Sequence, residues 1–324
     1  MGQLVDRYQR KIDYLRISIT DRCNLRCRYC MPPEGVDFIE HDQILSYEKI
    51  VRIVQTGAKL GIKKVRVTGG EPLVRKGAVD LIRMLKNISG IEEVALTTNG
   101  VLLAKYASQL VTAGLDRVNI SLDTLQQDKF REITNFDQLE QVIEGIKSAL
   151  EVGLTPVKIN VVVMQSINDD EIFDFIALTR QLPVHVRFIE YMPAGSKESE
   201  QEKYYIGSKQ LKKEIKREEK LLATQFQKGN GPAYYYQVSD SLGTIGFISP
   251  ISNSFCSSCN RLRLTSTGDL RACLCNEQEI NLRDKLKQGE AEVKRAFQLA
   301  VDSKAEKHSL SQGNFNKNMS QIGG

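Results

Sequence analysis

No apolar run in the 324 residues approaches the ~18 needed to cross a bilayer. The opening stretch MGQLVDRYQRKIDYL also lacks the apolar core of a secretory signal. These absences set aside a membrane or exported protein and predict a cytoplasmic one. Gly2 fails as a myristoylation acceptor, because Asp6 stands where Ser or Thr is wanted. No element interleaves basic and aromatic residues in the way a nucleic-acid surface does. The net charge of +5 and pI near 8.7 therefore point to an anionic small ligand or a solvated surface. Histidine occurs only 3 times, with His41 the one nearest the first cysteines.

Cysteine, by contrast, occurs 7 times. In a reducing compartment that number signals metal ligands or redox groups rather than disulfides. The thiols form two groups: Cys23, Cys27 and Cys30 near the start, then Cys256, Cys259, Cys273 and Cys275. The hydrophobic content of 41% supports a substantial core. The length suits a large α/β domain with an appended region, which we place at 1–220 and 221–324.

Apolar periodicity divides the first two thirds into alternating strands and helices. Strands are expected at 15–20, 64–68, 93–97, 117–121, 157–163 and 184–190. Helices are expected at 47–60 with Ser46 as cap, 78–86, 102–113, 124–132, 136–152 and 170–181. Such alternation implies parallel pairing through right-handed crossovers, in an open sheet or a barrel. Six units fall two short of a closed eightfold barrel and leave a lateral opening.

Function then belongs at the carboxyl ends of the strands. There the chain places the cysteine loop, Gly69-Gly70-Glu71-Pro72, Thr97-Thr98-Asn99-Gly100, Ser121-Leu122-Asp123 and Glu190-Tyr191-Met192-Pro193. Beyond a charged helix at 209–220, short strands at 234–239 and 244–248 and a hairpin over 262–271 turning at Thr267-Gly268 are expected. A further helix is expected from 290 to 301.

The spacing Cys23-x3-Cys27-x2-Cys30 supplies three thiolates, where structural zinc usually takes four ligands. On a cubane iron–sulfur cluster three thiolates leave one iron open for a ligand. CNLRCRYC resembles the cysteine motif of the radical S-adenosylmethionine superfamily, and Gly69 to Pro72 resembles its GGEP turn. Cys256-x2-Cys259-x13-Cys273, followed through Asn260-Arg261-Leu262-Arg263-Leu264, resembles the GTP 3′,8-cyclase family, as does the terminal Gly323-Gly324. The resemblance runs from about Leu15 to the C-terminus.

That resemblance implies an incomplete (β/α)6 TIM-like barrel whose C-terminal segment carries a second [4Fe–4S] cluster and covers the lateral opening. It implies cleavage of S-adenosyl-L-methionine to a 5′-deoxyadenosyl radical and removal of the 3′ hydrogen of GTP. Attack on C8 then gives (8S)-3′,8-cyclo-7,8-dihydroguanosine 5′-triphosphate, the first step of molybdenum cofactor biosynthesis. The expected partners are a reduced flavodoxin or ferredoxin type donor and cyclic pyranopterin monophosphate synthase, the next enzyme. The expected state is a monomer or homodimer.

Residue by residue, the family pattern assigns Cys23, Cys27 and Cys30 to one cluster and Cys256, Cys259 and Cys273 to the other. Tyr29, Gly70, Ser121 and Met192 match contacts to S-adenosylmethionine. Arg16, Arg66, Thr97, Lys158, Arg261, Leu262 and Arg263 match contacts to GTP. Arg16, Gly323 and Gly324 are expected to serve catalysis. Chemistry agrees: arginine's planar fork suits phosphate oxygens, and cations on inward-facing strands need an anion. Arg261 and Arg263 share one face of an extended strand, with Leu262 on the other. The same alternation puts Cys273 and Cys275 on one face, so only the family spacing selects Cys273. Two other classes were weighed: a radical peptide maturase and a metal-stabilised nucleic-acid binder. The first should have a longer, more cysteine-rich tail, and the second zinc and a basic aromatic element.

Overall fold

The structure, a computed structural model, describes residues 2–31, 35–192, 203–224, 226 and 231–308. Strand β1 (Tyr14–Ser18) leads through the cysteine loop to α1 (Tyr47–Lys59), which Ser46 caps by accepting the Lys49 amide. Then follow β2 (Lys64–Thr68), α2 (Ala78–Lys86), β3 (Glu93–Thr98), α3 (Leu103–Thr112) and β4 (Arg117–Ser121). Helices α4 (Gln127–Thr134) and α5 (Leu139–Glu151) precede β5 (Val157–Val163), α6 (Ile172–Gln181) and β6 (Val184–Glu190).

The remainder comprises α7 (Ser208–Glu218), β7 (Leu222–Ala223), β8 (Tyr234–Gln237), β9 (Thr244–Ile248), β10 (Arg261–Leu264), β11 (Asp269–Arg271), β12 (Glu279–Asn281), α8 (Leu282–Gln288) and α9 (Glu290–Asp302). The short β7 and β12 and helix α8 lie outside the elements expected from periodicity. They are too short to show a period, and their pairing comes from neighbouring strands.

All twelve strands form one sheet in the order β12-β11-β10-β1-β2-β3-β4-β5-β6-β9-β8-β7. The six strands read from the sequence are consecutive and parallel. The C-terminal region adds β10 parallel to β1 and β9 parallel to β6. An exposed strand edge carries unpaired N–H and C=O groups, and these two strands satisfy both edges. The expected lateral opening is thus narrowed from both sides by strands. Among the described residues β12 and β7 do not pair with each other, so the barrel remains open.

Register shows which face is which. Leu262, Leu15, Val65 and Val94 share one face, continued by Leu96, Val118 and Val157 and by Ile120, Ile159, Val186 and Ile245. These residues are buried in the main core with the helices. On the outer side Phe297 of α9 reaches Gly57 of α1, where an added Cβ would stand 3.2 Å from the ring. The other face is polar: Arg263, Arg16, Arg66, Ala95 and Arg117 lie in one register row, and Thr97, Asn119, Lys158 and His185 in another. Closed eight-stranded barrels fill this face with aliphatic layers. Here it is lined with cations instead.

Candidate active site

The cysteine loop leaves the carboxyl end of β1 and is pinned from three directions. The amides of Arg26 and Arg28 donate to the carbonyls of Thr134 (2.9 Å) and Ile133 (3.0 Å) at the end of α4. The Cys30 amide donates to Cys27 O at 2.8 Å, folding the two thiols into one turn. Asn99, after β3, donates from Nδ2 to Asn24 Oδ1 at 2.8 Å and lies 3.8 Å from Cys23 Sγ. Glu71 holds Asn99: fully buried, its carboxylate accepts the Asn99 and Leu73 amides and the Thr98 hydroxyl. Burial raises this carboxyl to about 7 despite those donors. Glu71 thus links the loops after β2 and β3 to the cysteine loop.

Gly70 packs its turn against the backbone of the preceding loop. A Cβ there would meet Arg22 O at 2.4 Å and Asp21 O at 2.7 Å, while the Gly70 amide donates to Thr20 O. The missing side chain therefore seats the turn against the start of the cysteine loop. Tyr29 donates its hydroxyl to Asp123 Oδ2 at 2.6 Å, and Asp123 Oδ1 accepts the Val162 amide. Burial raises Asp123 to about 6. Ser121 ends β4 on the cation-lined face, and Met192 follows the end of β6, both half-buried at the same rim.

The C-terminal thiols gather at the amino end of β10, across the sheet from the carboxyl end of β1 where the first cysteine loop leaves. Cys256 opens a short 3-10 turn, and its carbonyl accepts Arg10 Nη1 at 2.7 Å. Glu190, at the end of β6, fixes the approach to this turn by accepting the amides of Ile251 and Ser252, both at 3.0 Å. Burial pushes the Cys259 thiol up, but Arg261 and Lys304 outweigh it and bring the group to about 7. Cys273 and Cys275 are hydrogen-bonded: Cys275 keeps the proton, raised well above its ordinary value, and Cys273 is lowered.

In the N-terminal group burial dominates. It raises Cys23 to about 11 and Cys27 well above its ordinary value, with Cys30, Asp123 and Cys23 adding repulsion at Cys27.

Between the two groups lies the cationic face. Arg66, Arg117, Lys158, Arg187 and Arg263 are each 7% exposed or less. Arg66 donates from Nη1 to Thr97 Oγ1 at 3.1 Å and from Nε to the Tyr14 hydroxyl. Arg117 pairs with Glu93. Burial and the neighbouring Arg187, Arg117 and Arg66 lower Lys158 to about 6, and it lies against the rings of Phe226 and Tyr235. Burial lowers Arg187 and Arg263 to about 10. Arg16 is lowered well below its ordinary value by burial and then by Arg263 and Arg66. Strands β2 and β6 would be roughly 19 Å apart in a flat sheet. Arg66 and Arg187 nevertheless repel each other, as expected of a sheet curled around a shared space.

A family model described as the Radical SAM superfamily matches residues 17–179, and one described as Molybdenum Cofactor Synthesis C matches 184–310. The GTP 3′,8-cyclase of Petrotoga mobilis is 52% identical over 324 residues, covering 99% of this chain and 100% of its own. The chain belongs to the radical SAM superfamily and, within it, to the GTP 3′,8-cyclases.

The cyclase of Heliobacterium modesticaldum is similar at 49% identity, over 99% of this chain and 100% of its own. Among solved structures, Streptococcus suis SuiB bound to precursor peptide SuiA superposes with a TM-score of 0.63 at 17% identity, over 94% of this chain and 67% of that one. SuiB bound to S-adenosylmethionine gives 0.59 at 16%, over 86% of this chain and 65% of that one. At such identity the fold alone is shared.

The donor set fits the cofactors of GTP 3′,8-cyclases. Within each group the thiols act on one another: Cys30 and Cys23 on Cys27, and Cys273 and Cys256 on Cys275. Buried atoms without a hydrogen-bond partner also lie on the cationic face: Asn119 Oδ1, Asn160 Oδ1 and Arg187 Nε. A polar ligand would satisfy them.

Leu262, expected among the substrate contacts, turns its side chain away from the cationic face. Its side chain is fully buried on the apolar face beside Leu15, because alternation turns it away from Arg261 and Arg263. Gly323 and Gly324 lie outside the described residues. Arg117 and Arg187 were missed, although strand parity alone would have put both on this face. The roles of Arg10, Glu190 and Lys304 carried no sequence signal.

Proposed function

We propose that the cationic face between the two thiol groups is where this GTP 3′,8-cyclase holds the triphosphate of GTP. The activity converts GTP to (8S)-3′,8-cyclo-7,8-dihydroguanosine 5′-triphosphate, the first step of molybdenum cofactor biosynthesis, with two [4Fe–4S] clusters and S-adenosylmethionine as cofactors. One observation carries the site reading: buried cations from β2, β4, β5, β6 and β10, joined by the half-buried Arg16 of β1, converge on one space, with Glu93 paired among them. So much buried positive charge calls for a polyanion.

Cys23, Cys27 and Cys30 would hold one cluster, and Cys256, Cys259 and Cys273 the other. Bound at the first group, cluster and S-adenosylmethionine supply a carbon radical able to remove the 3′ hydrogen of GTP. The chain's own contribution is placement. Tyr29, fixed by Asp123, would line the S-adenosylmethionine site with Ser121 and Met192, while the Gly70 turn holds the loop.

Arg16, Arg66, Lys158 and Arg263 would take phosphate oxygens, with Thr97 orienting Arg66 and Arg261 set beside the second cluster. The triphosphate restores charge to Lys158, whose burial otherwise favours the neutral amine. Leu262 supports this wall from behind. Gly323 and Gly324 would serve catalysis together with Arg16. The regions 1–220 and 221–324 would then divide radical generation from substrate choice.

An external one-electron donor of flavodoxin or ferredoxin type would reduce the clusters, and cyclic pyranopterin monophosphate synthase would take the product. The chain would work in the cytoplasm as a monomer or homodimer; among the described residues no helix is long and apolar enough to cross a membrane. Anaerobic reconstitution with iron and sulfide, followed by GTP, S-adenosylmethionine and a reductant, should yield 5′-deoxyadenosine and the cyclised nucleotide. Deoxyadenosine that forms equally well without GTP, with no cyclised product, would reject the assignment of the substrate face.

A further inference from the structure

Lys304, just beyond α9, is 3% exposed. Its ammonium donates to Ala272 O at 2.8 Å and Arg261 O at 2.9 Å, and stands 3.9 Å from Cys259 Sγ. Two carbonyls and one sulfur thus take the three N–H groups, and none of the three is a carboxylate. The two carbonyls are next to the thiols themselves: Ala272 precedes Cys273, and Arg261 lies two residues beyond Cys259. The following residues are anchored at the third thiol, because Arg10 binds Cys256 O, Ala305 O and Glu306 O together. A buried ammonium needs opposite charge. Of its three hydrogen-bonding partners, the sulfur of Cys259 is the one that can carry it.

We propose that Lys304 is a positioning residue of the C-terminal cluster, a fixed counter-ion to Cys259 and Cys273 that makes this cluster easier to reduce. Reduction adds negative charge, and a buried cation hydrogen-bonded to a ligand sulfur stabilises the reduced form. The same contacts tie the segments carrying Cys259 and Cys273 together, so charge and geometry act from one side chain. This rests on the reading that Cys256, Cys259 and Cys273 hold a cluster.

The test is a redox titration followed by electron paramagnetic resonance on the full chain carrying Cys27→Ala, so that only the C-terminal cluster is observed. Lys304→Gln keeps N–H donors for the carbonyls but removes the charge; Lys304→Arg keeps the charge. The glutamine variant should hold the same iron and be at least tenfold harder to reduce, about 59 mV for a one-electron couple. The arginine variant should stay within threefold of the parent. Loss of iron from the glutamine but not the arginine variant would also support the charge. A parental potential in the glutamine variant would overturn the proposal, as would loss of iron from both variants alike. Failure of the parental Cys27→Ala chain to load iron would remove the cluster assignment and this proposal with it, and would be visible before either substitution is made.

Discussion

The two thiol groups sit at opposite ends of one sheet, the first beyond the carboxyl end of β1 and the second at the amino end of the parallel β10, and in opposite electrostatic surroundings. Around Cys23 and Cys27, burial dominates, with Glu71 and Asp123 as negative neighbours, and both thiols are pushed towards the protonated state. At Cys273 the hydrogen bond with Cys275 favours the thiolate first, with Lys304 and Arg263 adding to it, and at Cys259 Arg261 and Lys304 outweigh burial. The difference would suit the two tasks proposed above. A group of thiolates that must share its surroundings with a cationic cofactor, S-adenosylmethionine, gains from negative neighbours. A group facing a nucleotide triphosphate gains from positive ones.

The sharpest break of this comparison is substitution at each group. Cys27→Ala should stop 5′-deoxyadenosine formation, by ~10³-fold or more, and lower bound iron from roughly eight to roughly four atoms per chain. Cys259→Ala should lose similar iron and all cyclised nucleotide, yet keep deoxyadenosine formation within about tenfold. Chromatographic assay of both products decides; equal loss of deoxyadenosine would erase the division of labour.

Next in size is thiol reactivity in the chelator-stripped chain. At pH 7.5 Cys259, at about 7, should alkylate with iodoacetamide on the order of 10²-fold faster than Cys23, at about 11, as read by peptide mass spectrometry.

The cationic face comes third. Arg66→Ala or Arg187→Ala should weaken GTP binding by roughly 10- to 100-fold, about 1.5–3 kcal/mol, as expected for a lost hydrogen bond to a charged group. Iron content should be unchanged; loss of iron would mean that these arginines hold the fold instead.

The smallest effect is a proton. With Lys158 at about 6 in the free chain, it is mostly neutral at pH 7.5, and triphosphate binding should draw up to about one proton from solution. Calorimetry in buffers of different ionisation enthalpy measures it, and Lys158→Met should abolish it. The sign for stability follows. The unfolded chain binds the lysine proton between pH 6 and the ordinary lysine value while the folded chain does not, so stability without nucleotide should rise with pH over that window. Bound GTP should flatten the rise.

Several elements could be read directly from residues. Strands β2, β4, β5, β6 and β9 and helix α2 fall where apolar alternation puts them, because each has a clear period and a glycine or polar break at its end. The thiol groups and the parity of Arg261 against Leu262 were equally legible, since spacing and alternation are local properties. β12 and α8 were not, because three to seven residues hold no period and take their shape from the strands and helices they meet. Arg187 stood on a strand that was placed correctly, yet its meaning depended on which other strands curl round to face it.

By itself, then, the sequence determined the six βα units, the two cysteine spacings and the residues available to bind an anion, all set by neighbours along the chain. Only the tertiary structure decided that β10 and β9 complete opposite edges of the same sheet, and that Arg16, Arg66, Lys158, Arg187 and Arg263 share one space. It also decided that Lys304 closes on Cys259 from 45 residues away. The reason is physical: hydrogen-bonded edges, repulsion among buried charges and the satisfaction of a buried ammonium are set by separation in space, which the order of residues along the chain does not specify.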